Sequence, residues 1–297
     1  MPDAKWLTLR SCVALCFAVA ATVLALSLCI PEYAFATPAS KGAKVYKLRP
    51  DVTYTSYDIT GDKKPDTIWV SVDDRENGYY DSVAVYINGK RAYSKKRIGN
   101  AAMVDGIAIE LIKLKNGKPF LYLATYGDDD NCDVCAIFRY KSGKLKTAID
   151  CNKYFSSNYG MHRSASLSRV TGNTVVIGYS LMSWAVGPLR TSAKYSYKSG
   201  VLKKSSNTPA ITVGGQRGSY RAAKSITLYK SQACKSKKLV VRKGQSVKFS
   251  KIYSNGKTMS IQLKVGKKTG WLKCQNFKGG SVPANWWPPF EGLFLAG

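Results

Sequence analysis

The chain is short of two residue types that hydrolytic enzymes rely on. It has a single histidine, His162, in 297 residues. It also has no acidic residue between Asp150 and Glu291, although that stretch carries 25 Lys and Arg. One histidine excludes His-rich zinc chemistry, and no His-Glu-x-x-His is present. No cysteine stands in a recognisable nucleophile motif beside it, and Gly-x-Ser-x-Gly is absent. Ser254-Asn255-Gly256-Lys257 fits Ser-x-x-Lys but has the composition of a hairpin turn, which points its lysine away from a buried pocket. Paired carboxylates for glycoside cleavage are available only in the first half of the chain. The expectation is a protein that is not an enzyme.

Also scarce are long apolar runs and the 3.6-residue period of amphipathic helices. The one long run is near the start. Lys5 and Arg10 precede 19 uncharged, largely apolar residues, Cys12 to Ile30, and Ala34-Phe35-Ala36 follows. This order of charge, apolar stretch and small residues predicts a secretory signal over residues 1–36, cleaved before Thr37. The run is long enough to span a bilayer, so an uncleaved anchor is the alternative, and the sequence leaves both open. Leu28 before Cys29 argues against a lipoprotein site. The expected location is secreted or cell-surface, with membrane contact only through this segment if it is retained.

What is abundant is positive charge. The formal net charge is +28, and its one-signed distribution over the second half concerns partners rather than fold. A polyanion is expected: peptidoglycan or an anionic wall polymer first, with nucleic acid less favoured because no nucleic-acid motif is present. A surface protein partner for the first half stays open.

Along the chain, Val, Ile, Tyr and Thr alternate with polar residues between short glycine-bearing turns, which predicts strands. Ser82 to Tyr93, with Asn88-Gly89 between its two halves, is the clearest hairpin. Tyr86-Ile87-Asn88-Gly89-Lys90 is echoed by Tyr140-Lys141-Ser142-Gly143-Lys144 and by Tyr197-Lys198-Ser199-Gly200, at glycine spacings of 54 and 57 residues. About four strands per repeat suggests blade-like units. Three units are too few for a closed propeller of about 4–8 blades. The fold class is therefore all-β: a propeller-like or stacked set of small antiparallel sheets over 37–204, a linker over 205–219, and a small barrel over 220–278.

That last unit resembles the bacterial SH3-like domain. The resemblance rests on Leu228-Tyr229, Arg242-Lys243-Gly244-Gln245 and, most specifically, Thr269-Gly270-Trp271-Leu272-Lys273. It implies a wall- or peptide-recognition module. Candidate ligand contacts on it are Tyr229, Arg242, Lys243, Lys248, Lys251, Tyr253, Lys267 and Lys268. It also implies that the first and last strands lie close, which would bring Cys234 and Cys274 together as a disulfide.

In the first half, Asp58-Ile59-Thr60-Gly61-Asp62-Lys63-Lys64-Pro65-Asp66 places oxygen side chains at positions 1, 3, 5 and 9, with the Lys64 carbonyl at position 7. That spacing can wrap a hard cation. The loop resembles the calcium loops of integrin-type FG-GAP repeats, which implies a structural Ca²⁺ held by Asp58, Thr60, Asp62, Lys64 and Asp66. A turn whose aspartates cap backbone N–H groups is the alternative. Asp128-Asp129-Asp130-Asn131, with Asp133 nearby, lacks regular ligand spacing. Cys132-Asp133-Val134-Cys135 lacks a second pair for zinc and the setting of a redox dithiol. Cys135 and Cys151 lie symmetrically about Gly143, which suggests a cross-strand disulfide, with Cys132–Cys151 the other pairing.

The tail from residue 279 to 297 contains Trp286, Trp287, Phe290 and Phe294. Left free it would be an exposed apolar patch. It is expected to fold back onto the first domain, or else to dock on a membrane or partner.

Overall fold

The computed structural model describes residues 39–74, 79–98, 104–127, 132–214, 219–278, 282–283 and 286–293; alternation of apolar and polar residues, punctuated by positive-φ turns, builds strands from residue 39 to residue 273. The fold is all-β with four sheets. The first three strands, β1 (Ala39–Ser40), β2 (Lys44–Leu48) and β3 (Thr53–Tyr57), each enter a different sheet. β4 (Asp66–Asp74), β5 (Tyr80–Ile87) and β6 (Lys90–Lys96) follow β3 in a four-stranded antiparallel sheet. β7 (Val104–Lys113), β8 (Pro119–Gly127), β9 (Cys135–Lys141) and β10 (Lys144–Asp150) form the second sheet, with β2 on its edge beside β7. The third sheet contains β11 (Gly160–Thr171), β12 (Thr174–Ser183), β13 (Gly187–Lys198) and β14 (Val201–Lys204). There β1 lies parallel to β11, and β15 (Ile211–Gly214) pairs with β13.

These three sheets are stacked, and the sequence of each shows its place. Phe120 to Thr125 on β8 is buried at every residue. Phe120, Tyr122 and Ala124 face a core shared with Leu167, Val175 and Ile177 of the third sheet. Leu121 and Leu123 face the opposite way, into a core with Ile68, Val70, Val83 and Val85 of the first. A strand covered on both faces needs a continuous apolar run. By contrast, β12 alternates buried and half-buried residues throughout, because only one of its faces is covered.

The echoed hairpin turns recur sheet by sheet. Asn88-Gly89, Ser142-Gly143 and Ser199-Gly200 join β5 to β6, β9 to β10 and β13 to β14, in the first, second and third sheets. In each, both residues have positive φ (51° and 73°, 51° and 76°, 49° and 83°). That is the tight turn whose twist matches the flanking strands, and it favours glycine at its second place.

The fourth sheet is ordered β16-β19-β20-β21-β17-β18. Its strands are β16 (Tyr220–Arg221), β17 (Ile226–Tyr229), β18 (Lys237–Val241), β19 (Ser246–Ser254), β20 (Met259–Val265) and β21 (Lys268–Lys273). Its buried Leu228, Val247, Ile252, Ile261 and Leu263 belong to the same continuous core as the third sheet. The two sheets are joined by polar bonds as well. The Ile252 N–H donates to Pro209 O at 3.0 Å, and Ala210 forms a bridge to Lys251 just before β15 begins. Lys204 Nζ donates to Ser254 O at 3.2 Å and lies 4.9 Å from the Tyr154 ring centre. Gly256 is required at this seam: it has a φ of +80°, and a Cβ there would stand 2.5 Å from Lys153 O.

The tail folds back onto the fourth sheet. Phe290 bridges Ala222, the Ala223 N–H donates to Pro289 O and the Glu291 N–H to Arg221 O, each at 2.9 Å. The Phe290 ring is buried edge-on against Phe249 at 5.2 Å, and Phe249 stacks on Tyr220 at 5.3 Å. Phe290→Ala should leave a cavity and cost about 3–5 kcal/mol. Thermal denaturation of residues 37–297 should show this as a lowered Tm in a transition that remains single, since the third and fourth sheets share one core.

Candidate functional site

The aspartates of the loop accept hydrogen bonds mainly from the loop's own backbone, although the buried Thr60 Oγ1 has no partner. Asp58 accepts the N–H groups of Gly61 at 2.5 Å and Lys63 at 2.9 Å. Asp62 accepts the Lys64 N–H at 2.8 Å. Buried Asp66 accepts the N–H groups of Ile59 and Thr60 on one oxygen and the Asn88 amide on the other. Lys63 takes the left-handed conformation, φ 71°, that lets this ring of bonds close. The expected calcium site over Asp58, Thr60, Asp62, Lys64 and Asp66 is therefore corrected: the carboxylates are turned onto backbone donors. Among the described residues no group of three or more His, Cys, Asp or Glu side chains is placed to hold a metal ion. Asp128 to Asn131 lie outside the described residues.

Burial works to raise the Asp66 pKa, but the bonds from Thr60, Asn88 and Ile59 outweigh it and hold the carboxyl below its ordinary value. Its contribution to stability is complete above the unfolded carboxylate pKa of about 3.9, and is lost as pH falls through the lower folded value. Asp66→Ala strands buried N–H donors and should cost about 1–3 kcal/mol. Acid titration of the Tm should show a shallower fall in that variant. The wild-type Tm should be the same in Ca²⁺ and in chelator, and a calcium-dependent rise would restore the metal site.

The disulfide expectations are also corrected, since all five described cysteines are free thiols. Cys135 and Cys151 stand 3.6 Å apart, against about 2.0 Å for a disulfide. A register shift at Thr147/Ile149 breaks the symmetry about Gly143, and Cys151 leaves the strand in a 3-10 turn. The Cys135 thiol instead donates to Ala165 O at 3.4 Å. The bond to Cys135 and burial push the Cys132 thiol well up. Cys234 sits on a turn with φ 52°, and Cys274 is buried, which pushes its pKa up. Burial also raises Cys234, while Lys273 and Ser260 pull it down. Native alkylation of the mature chain should label half-buried Cys234 first and the other four only on unfolding. Mass spectrometry without reductant should find no paired cysteines.

The candidate ligand contacts separate into two groups. Arg242 and Lys243 occupy the exposed turn before β19, and Lys267 and Lys268 the exposed turn into β21. Lys248 lies directly across from Lys264, and Lys251 across from Gln262. Opposed like charges on neighbouring strands are unfavourable in isolation, so this exposed lysine pair favours an anion nearby. None of these six lines either of the two clefts on this sheet. Tyr229 and Tyr253 do, in two separate clefts.

The larger cleft, of about 560 Å³, lies between the turn after β17, the β19–β20 turn and the exit from β21. Tyr159, just before β11, forms one wall, fixed by donating to Lys257 O at 3.1 Å and accepting from Asn276 Nδ2 at 3.2 Å. Tyr253, Gln232, Ser260 and Asn276, with Ala233, Met259 and Cys274, complete a lining of mixed polarity. The smaller cleft, of about 280 Å³, is lined by Tyr229, Trp286, Trp287 and Pro289, together with Lys224, Ser225 and Thr227. Lys273 and Gln275 line both clefts, so the two meet along one ridge. No carboxylate lines either one.

Tyr159, Lys224 and Gln275 carry no sequence signal, because they converge only through the folding of distant segments. Trp286 and Trp287 did have a signal in the apolar tail, which docks on the fourth sheet rather than on the first domain. Compared with known proteins, the chain matches no family model, and no curated protein or solved structure is detectably similar to it.

Proposed function

We propose that this is an exported, non-catalytic cell-envelope protein that attaches to the cell wall or to an anionic wall polymer through its C-terminal half. In this reading the fourth sheet is an SH3-like recognition module, and the three stacked sheets are propeller-like units that carry it. The supporting observation is electrostatic. A groove of aromatic and amide side chains, with Lys224 and Lys273 on its lining and no carboxylate, lies in a stretch of chain that has no acidic residue from Asp150 to Glu291. The exposed Arg242, Lys243, Lys248, Lys251, Lys267 and Lys268 add further positive charge to the strands and turns of the same sheet. Each such residue near an anionic surface contributes about 1 kcal/mol, so a handful gives useful, salt-sensitive attachment. The missing nucleophile, zinc and carboxylate-pair motifs support a binding role rather than a catalytic one.

Cosedimentation of residues 37–297 with purified walls, with and without their anionic polymers, tests this. Binding should be strong at low salt, fall on stripping the polymers, and vanish towards about 1 M salt, where the screening length is about 3 Å. Binding that survives on bare peptidoglycan at high salt would overturn the electrostatic mechanism. Binding to neither wall preparation would overturn wall attachment.

A further inference from the structure

Trp287 is the most exposed large apolar side chain among the described residues, at 76%. It is not a loose end. Trp286 beside it packs edge-on against Phe277 at 5.3 Å, and its N–H donates to Pro283 O at 2.9 Å. After Trp287 come Pro288 and Pro289, which stiffen the backbone, and then buried Phe290. The indole is therefore presented to solvent between two anchored aromatics, and its ordering cost is met by the fold before any ligand arrives. A tail that needed only to seal the fourth sheet could end its docking with Phe290 and Trp286. The exposed ring next to a cleft calls for a ligand.

The chemistry of that cleft narrows the class. Tyr229, Trp286 and Trp287 supply flat apolar faces, whereas Ser225, Thr227 and Gln275 supply small hydrogen-bonding groups. A sugar ring has this combination in reverse, with apolar C–H faces and a rim of hydroxyls. Lys224 and Lys273, with no carboxylate beside them, add a preference for a negative substituent. The volume, about 280 Å³, is at the lower edge of small-molecule pockets of about 300–1,000 Å³, which suits one sugar unit. Because Lys273 and Gln275 also line the larger cleft, a chain leaving the first subsite meets the second directly.

We propose that the cleft formed where the tail folds onto the fourth sheet is a saccharide subsite for a sugar ring bearing an anionic group. This rests on the polyanion-attachment reading and adds to it: surface lysines provide attachment to any polyanion, and Trp287 provides the preference for a glycan. The test uses the mature chain, with affinities measured by tryptophan fluorescence and calorimetry. The probes are an oligogalacturonide, a polyphosphate of equal charge, and oligothymidylate.

The oligogalacturonide should bind most tightly and perturb the indole emission. Trp287→Ala should weaken it roughly tenfold, as for an aromatic hot spot, and leave polyphosphate unchanged. Lys243→Glu with Lys248→Glu should weaken both. Because Trp287 is exposed, its removal does not threaten the fold, and an unchanged Tm confirms that. Equal affinity for oligogalacturonide and polyphosphate, unaltered by Trp287→Ala, overturns the subsite and leaves polyanion attachment standing. Tighter, Trp287-dependent binding of oligothymidylate also overturns the saccharide assignment, in favour of base stacking. Binding to none of the three overturns attachment, and the subsite with it.

Discussion

The second sheet has no face left for water, and the remaining architecture follows from that. Its central strand, β8, is apolar on both sides, so a sheet must lie against each face before it can persist in solution. The first and third sheets meet that demand, each offering one apolar face and turning the other outward. The third sheet's core then continues into the fourth, so the basic module is seated on a rigid base instead of swinging from a tether. The large cleft depends on this, because Tyr159 belongs to one unit and Tyr253 to the other.

Local signals in the sequence were legible where short-range sterics decide the structure. The three turns at Gly89, Gly143 and Gly200 need positive φ at adjacent residues, and few residue types allow it. The alternation in β5 and β12 likewise announces strands with one covered face. Among the described residues the elements are strands apart from two short 3-10 turns, and that too could be read directly.

The site was less legible, for two physical reasons. A loop of regularly spaced aspartates has two competing uses for its oxygens, and spacing does not distinguish them. Here the backbone N–H groups of residues 59, 60, 61, 63 and 64 take up those oxygens. The cysteines have a related ambiguity: symmetry about a turn assumes unbroken register, and one bulge between Thr147 and Ile149 removes it. The clefts were hidden for a different reason. Tyr159, Lys224 and Gln275 are far apart in the chain and individually unremarkable, so only the folded arrangement gives them a common purpose. Charge was the exception, since a stretch without acids stays without them however it folds.

The stitching of the first strands has a kinetic consequence. β1, β2 and β3 are made before any of the sheets they complete, and β1 must wait for a partner, β11, whose residues lie 131 positions further on. Closing so long a loop is slow, because its entropy is lost before any contact offsets it. Until then the nascent chain carries short edge strands with nothing to pair with, in the order in which it emerges. The lysines at positions 41, 44 and 47 fall within this waiting segment. Charge on an unpaired edge discourages it from joining the wrong neighbour. The residue type on which the proposed attachment to a polyanion rests thus also protects the unfinished end from other copies of itself.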